Sequence, residues 1–367
     1  MRLISTKVLK ENMVVGRTIW NEAGLPLLQK NVVITQGIIN RLINLNIMYI
    51  YIEDQISQGI VIEETVSAEV RNKAIKKIEQ SFKQLRFAKG KDATYLLDQH
   101  SKLIYGIVDE VLSAITENSE MLMILSDAYI YDEYVYQHSM QVTMYSIAIA
   151  KELGYTYEEQ RVIGLGALLH DIGKMVIPQD ILSKPAQLTR EEFEEMKQHT
   201  TYGFDILRNV HSISLIVAHC AFQHHERIDG SGYPRGLKAN DIHPYAKIIG
   251  VADVFDAITS NRVYRTKKLP SEAIAILENS SGIGFDEKVV EAFKRIVVKY
   301  PNGTVVLLSD ERRGVVARQN PAKPARPFVR IFEDRGEMLK ATYELPLVDY
   351  PDIHIVKEDL ELDLPSR

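Results

Sequence analysis

Cysteine is nearly absent from this chain of 367 residues: Cys220 stands alone, so no intramolecular disulfide can form. A chain of this length without cross-links must rely on buried cores, and it suits a reducing compartment. Cys220 lies among Ala218, Ala221 and Phe222 and reads as a small buried side chain rather than a nucleophile. Excess positive charge is also missing. Lys and Arg number 44 against 49 Asp and Glu, a net charge of −5, which removes the global electrostatic case for a nucleic-acid polymer or an anionic membrane surface. A small anionic ligand could still find a local basic site. Long apolar runs are lacking too. The stretch from Val162 to Leu169 falls far short of the ~20 residues that a spanning helix needs. The opening Met1-Arg2-Leu3-Ile4-Ser5-Thr6-Lys7 has no apolar signal-peptide core, so a cytoplasmic protein without membrane contact is expected. No internal repeat or low-complexity tract is visible.

What is present is globular: 46% hydrophobic and 25% charged residues, with a length that implies two or three domains. Residues 1–60 mix short β-type runs with turn signals. Two strands are expected around the Asn/Gly turn within Thr18 to Leu28, a short helix over Ile34 to Leu45 and a strand over Ile47 to Ile52, together a small α+β module of unreadable role. Residues 61–118 turn helical and charged. Ile75, Ile78, Phe82 and Leu85 recur at spacings of three and four. That stripe fits either a seam between two copies, giving a homodimer through helices 64–118, or a connector packed on its own domain. A second amphipathic helix would put Leu103, Ile107, Val111 and Ile115 on one face. Residues 119–300 read as almost wholly helical, broken at Gly154, Pro178, Pro185 and the loop 229–236, with Thr189 and Glu192 spaced as a capping box. Residues 301–367, with Val305 to Leu308, Gly314 to Ala317 and Phe328 to Phe332, read as a small β-rich module. The expected fold class is mainly α: an all-helical central domain flanked by these two modules.

The chemistry gathers in the central segment. Only ten histidines occur, yet His170-Asp171, His199 and His224-His225 precede Asp253 within it. Neutral imidazole and carboxylate suit first-row metals such as iron, manganese and zinc. Two ions about 3.5–4 Å apart can lower the pKa of a shared water and clamp the oxygens of an in-line phosphoryl displacement. Asp171 is the natural bridge, since a carboxylate offers two oxygens where an imidazole offers one free nitrogen. In Gly230-Ser231-Gly232-Tyr233-Pro234, glycines flanking Tyr-Pro suggest a rigid turn with positive φ angles, capped by Asp229, that shapes the pocket and offers a docking point for a partner.

The run from His224 to Pro234 resembles the HH…DGxGYP signature of the HD-GYP family of bacterial phosphodiesterases. Val251 to Arg262 is similar to that family's third block, and the similarity covers about half the chain, from around Asp127 to around Tyr300. The resemblance implies an all-helical HD-type hydrolase domain holding two divalent ions, iron or manganese before zinc. One ion would take His138, His170, Asp171 and Asp253, and the other Asp171, His199, His224 and His225. It places Lys174 at the scissile phosphate, and Arg262 and Arg265 on the ligand's phosphates, a task for which bidentate guanidinium is well shaped. Relatives with three metals carry Glu one turn before the first His. Here that position is Tyr134, with Glu133 beside it, so two ions are expected. His211, His219, His243 and His354 match no ligand position, although His219 could support a ligand from behind. The implied reaction is attack by a metal-bridging hydroxide on cyclic di-GMP, giving pGpG and onward GMP. Another cyclic dinucleotide as substrate, or a non-catalytic cyclic-dinucleotide sensor, remain alternatives.

Overall fold

The computed structural model describes residues 1–20, 25–62, 66, 68–85, 91–117, 134–184, 186–260 and 268–362. They fall into two compact units. One is drawn from Met1–Glu64 together with Val297–Arg367, the other from Thr65–Ile124 and Tyr131–Ile296.

In the first unit, the N-terminal part runs β1 (Arg2–Ser5), β2 (Val14–Val15), β3 (Ile19–Trp20), β4 (Pro26–Leu28), α1 (Gln36–Asn44) and β5 (Tyr49–Glu53). β5 lies between β1 and β2, antiparallel to both. Thr35 caps α1 by accepting from the Ile38 amide, which turns Ile39 and Leu42 onto Ile4, Ile34, Ile50 and Ile52. The C-terminal part is a five-stranded antiparallel sheet of β6 (Val305–Leu308), β7 (Arg312–Arg318), β8 (Phe328–Asp334), β9 (Glu337–Pro346) and β10 (Ile355–Glu358), ordered β10-β6-β7-β8-β9. The sequence treats the two chain ends as separate modules, whereas the backbone knits them together. The Leu3 amide donates to the Gly303 carbonyl at 2.9 Å, Ser5 to Leu360 at 2.8 Å, and the Arg330 guanidinium to Gln58 at 2.6 Å. Pairings so distant along the chain leave no periodic trace in sequence.

The second unit is helical: α2 (Ala68–Leu85), α3 (Lys91–Glu117), α4 (Tyr134–Glu152), α5 (Tyr157–Leu169), α6 (Gln179–Leu182), α7 (Arg190–Lys197), α8 (His199–Leu207), α9 (Leu215–Gln223), α10 (Pro244–Thr259), α11 (Pro270–Asn279) and α12 (Glu287–Ile296). α4 packs against α5, α10 and α12 and is buried on all sides, with Met140, Val142, Met144, Ile147 and Ile149 fully covered. A helix buried on every face belongs in a core, and its Thr143 hydroxyl turns back on its own backbone, donating to the Ser139 carbonyl. α5 opens on a capping box of Thr156 and Glu159, and α7 on the expected one of Thr189 and Glu192. Ile75 and Ile78 of the α2 stripe are buried within this unit, where α2 packs on α3 and α4. Intrachain packing therefore accounts for these two, and the side chains of Phe82 and Leu85 lie outside the described residues. On α3 the buried face holds Ile104, Ile107, Val108, Val111, Leu112 and Ile115, while Leu103, expected on it, is 38% exposed. A 3.6-residue repeat carries the face past Leu103 onto Ile104. No helix among the described residues is long and apolar enough to cross a membrane.

Backbone approaches backbone closely beneath the His-Asp motif. Ile172–Met175 forms a 3-10 turn lying on the start of α8, and a Cβ built on Gly173 would stand 1.9 Å from the His199 carbonyl oxygen and 2.5 Å from the Gly203 nitrogen. Backbone, not a flexible side chain, fills that space. Gly173→Ala must push the turn off α8. It should cost about 1–3 kcal/mol or more of stability by overpacking, read as a lowered urea midpoint in the metal-stripped protein.

Candidate metal centre

Each candidate ligand sits at a helix end or on a fully buried helix. α5 is buried from Ile163 to Leu169 and delivers His170 at its C-cap. The chain then leaves the α-helix: Asp171 has φ −98° and ψ 8° and starts the 3-10 turn. Lys174 follows on that tighter turn, where residues three apart eclipse one another, so its Nζ reaches Asp171 Oδ2 at 2.5 Å. The sequence places the pair on one α-helical face; the geometry instead comes from the change of helix type. His199 begins α8, His224 caps α9 and His225 follows it, and Asp253 projects from the middle of α10.

These side chains converge. His138, His170 and Asp171 present ligand atoms within 4.8 Å of one another, and so do His199, His224 and His225. Asp171 lies between the groups. Its Oδ2 is 3.3 Å from His170 Nε2 and 3.5 Å from His138 Nε2, while its Oδ1 is 3.4 Å from His199 Nε2 and 3.9 Å from His224 Nε2. Asp253 approaches His138 Nε2 at 3.1 Å and His225 Nδ1 at 3.6 Å.

The tautomers are set from behind. His170 Nδ1 donates to the Ala167 carbonyl, His199 Nδ1 to Met196 and His224 Nδ1 to Ala221, at 2.6, 2.6 and 2.9 Å, each three residues back. With the proton on Nδ1, the Nε2 lone pair of each ring faces the centre, as a metal ligand requires. His138 differs: its Nδ1 meets the Asp256 carboxylate at 2.7 Å.

Protonation follows the surroundings. Burial pushes His199 down to about 4, and burial with neighbouring imidazoles holds His224 and His225 well below the usual imidazole range, so these rings stay neutral. Burial would also lower His138, but hydrogen bonds to Asp253 and Asp256 outweigh it and raise the ring to about 9. Burial works against the charge of Asp171, yet His170 and Lys174 keep its carboxyl well below the usual range; His138 and His225 do the same for Asp253. The buried atoms His170 Nε2 and Asp171 Oδ1 make no hydrogen bond. Buried polar atoms normally find partners, and a donor set of imidazole nitrogens and carboxylate oxygens left facing one another fits divalent cations.

The loop after His225 closes over this cluster. Asp229 Oδ1 accepts from the Ser231 amide and hydroxyl at 2.9 and 2.7 Å. Gly230 has φ +86°, but Gly232 serves a different need, since a Cβ there would lie 2.3 Å from the Arg227 nitrogen. Tyr233 precedes Pro234 across a cis peptide, donates its amide to the His225 carbonyl and tilts its ring over His225 at 4.7 Å. Burial and nearby Asp253 and Asp171 raise the Tyr233 phenol, so it remains protonated at neutral pH and is no base. Two residues escaped the sequence reading. Buried Glu226 accepts from the Arg235 and Leu237 amides at 2.8 and 2.9 Å and holds the loop's far side, and Asp256 stands behind His138. The only cue was a carboxylate directly after the paired histidines and another one turn beyond Asp253. Arg262, Arg265 and Glu133 lie outside the described residues, and Tyr134 opens α4 one turn before His138. Cys220 is fully buried and pushed up to about 12 by that burial, an inert thiol. His219 and His243 stand outside the cluster: His243 caps α10 by accepting from the Tyr245 amide.

Asp171→Ala removes the carboxylate common to both groups, so bound metal should fall to near zero by elemental analysis while far-ultraviolet circular dichroism keeps its helical signal. Metal-stripped protein should also be most stable near pH 6.5. His199, with its folded pKa lowered to about 4, contributes stability that is present above the ordinary imidazole value and lost as pH falls towards 4. His138, raised to about 9, contributes stability present below 6.5 and lost as pH climbs through 9. Urea midpoints measured in chelator from pH 4 to 10 check both limbs, and His138→Gln should flatten the alkaline one.

Comparison with known proteins agrees with this geometry. Residues 121–289 match the family model described as HD domain. The chain is 39% identical over 226 residues to the cyclic di-GMP phosphodiesterase PA4108 of Pseudomonas aeruginosa, covering 62% of this chain and 54% of that protein. It is 39% identical over 218 residues to a cyclic di-GMP phosphodiesterase of Thermotoga maritima, covering 59% and 56%. Over 169 residues it is 38% identical to the 3'3'-cGAMP-specific phosphodiesterase 1 of Vibrio cholerae, covering 46% and 39%. The chain thus spans about half the length of the curated relatives it matches. The paired histidines and the Gly-Tyr-Pro loop thus lie together within the stretch that matches the HD domain.

Proposed function

We propose that this protein is a metal-dependent phosphodiesterase that opens cyclic di-GMP to linear pGpG and then cuts that to GMP. The observation that carries the reading is Asp171, a buried carboxylate with one oxygen towards His138 and His170 and the other towards His199 and His224. That placement supports two divalent ions, iron or manganese, one held by His138, His170, Asp171 and Asp253 and the other by Asp171, His199, His224 and His225. Such ions, when bound, lower the pKa of water and neutralise charge on the phosphoryl oxygens.

The remaining work falls to the chain's own groups. Lys174 is the cation nearest the bridge, 2.5 Å from Asp171 and partly exposed, so it can turn from that carboxylate to a phosphate oxygen or pass a proton to the departing ribose oxygen. Arg262 and Arg265 follow α10 in sequence and are assigned to the ligand's other phosphate. Tyr233, tilted over His225, forms a wall of the pocket. The curated relatives include phosphodiesterases for cyclic di-GMP and for 3'3'-cGAMP at nearly equal identity, which makes a hybrid cyclic dinucleotide the second reading.

The test is turnover of both dinucleotides, side by side, by protein loaded with iron or manganese without air. Release of pGpG and GMP from cyclic di-GMP is expected. Preferential cleavage of 3'3'-cGAMP would move the assignment to the second reading, and loss of neither substrate would refute both. Lys174→Ala should keep its metal and lose kcat by about 100-fold or more, the usual worth of a positioned proton donor. Loss of metal from that variant would remove Lys174 from the phosphate and make it a support of Asp171.

A further inference from the structure

The four candidate ligand histidines whose Nδ1 is hydrogen-bonded are not equivalent. His170, His199 and His224 are each backed by a neutral backbone carbonyl three residues earlier. His138 alone is backed by a carboxylate, Asp256 Oδ2, at 2.7 Å. Asp256 is 1% exposed and rigidly held: its other oxygen accepts from the Ser260 hydroxyl at 3.0 Å, and its carbonyl accepts from the Ser260 amide at 2.8 Å. A carboxylate behind an imidazole pulls the Nδ1 proton towards itself, makes Nε2 more electron-rich and fixes the ring plane. On its other side, His138 Nε2 faces Asp253 at 3.1 Å and Asp171 at 3.5 Å.

The two ligand groups therefore differ in charge. Around His138 and His170 stand Asp171 and Asp253, with Asp256 behind. The group of His199, His224 and His225 is built from neutral rings, shares Asp171 with the first, meets Asp253 only at His225 Nδ1, 3.6 Å away, and has backbone carbonyls, not a third carboxylate, behind His199 and His224.

We infer that Asp256 is a positioning residue that makes the His138–His170–Asp171–Asp253 site the tighter of the two, so that it fills first and the histidine-rich site fills second. This rests on the two-ion reading above but not on any substrate. Asp256 acts through His138 and touches neither ion.

Metal-stripped protein should be titrated with Mn(II) and free ion followed by its electron paramagnetic resonance signal. Wild type should show one tight and one weaker class. Asp256→Asn keeps the side-chain shape but removes the negative charge behind His138, and should weaken the tight class by about 10- to 100-fold, the usual cost of losing such a partner, while leaving the weaker class in place. Ser260→Ala unties one oxygen of Asp256 and should weaken the same class by less. It also supplies the test if Asp256→Asn does not fold. A uniform loss across both classes in the folded variant would mean a general structural role and overturn the inference, as would two equal classes in wild type or an unchanged tight class in both variants. Wild type that binds no Mn(II) would sink the metal reading itself. Binding of two ions without cyclic-dinucleotide turnover would refute the proposed function and leave this inference standing.

Discussion

Everything in the helical unit is arranged around one buried charge. Asp171 is 3% exposed, and a lone carboxylate taken out of water at that depth would be neutralised by protonation. Here four imidazoles and Lys174 surround it, and His170 and Lys174 above all outweigh burial and hold it ionised. The rings in turn depend on helix ends. Three of them hang from a carbonyl one turn back, so the same chain termination that stops a helix also fixes which nitrogen looks inward. A helix shifted by one residue would move both the ring and the carbonyl that orients it.

That dependence explains the close backbone contacts beneath the site. Lys174 reaches Asp171 because α5 gives way to a 3-10 turn, and the turn fits on α8 because Gly173 leaves room for the His199 carbonyl. On the other side, Glu226 and Gly232 fold the Gly-Tyr-Pro loop back on the paired histidines, the first by accepting two loop amides and the second by admitting the Arg227 backbone. The Gly-Tyr-Pro segment is thus a consequence of packing as much as of chemistry. Tyr233 contributes a ring face to His225 while its hydroxyl keeps its proton.

The two groups of candidate ligands illustrate how one side-chain type is tuned by what lies behind it. A backbone carbonyl and a carboxylate both accept the Nδ1 proton, but only the carboxylate brings a full charge into a low-dielectric setting, where it counts most. His138 has such a charge directly behind it, whereas His170, His199 and His224 have a neutral carbonyl.

The amino-acid order by itself determined the helical character of the central segment, the capping box at Thr189, the β-rich C-terminal strands and the gathering of His170, Asp171, His199, His224, His225 and Asp253, to which the family resemblance added His138. These are legible because they are local: helical periodicity, caps and tightly spaced His and Asp residues need no knowledge of distant partners. Only the tertiary structure decided the rest. It joined the chain ends into one unit through hydrogen bonds between residues some 300 positions apart, and it covered Ile75 and Ile78 with the chain's own helices. It gave Asp256 and Glu226 roles that no motif marks. The physical reason is that a buried carboxylate acquires its function from the donors that meet it, and those arrive from another helix at Asp256 and from the folded-back loop at Glu226.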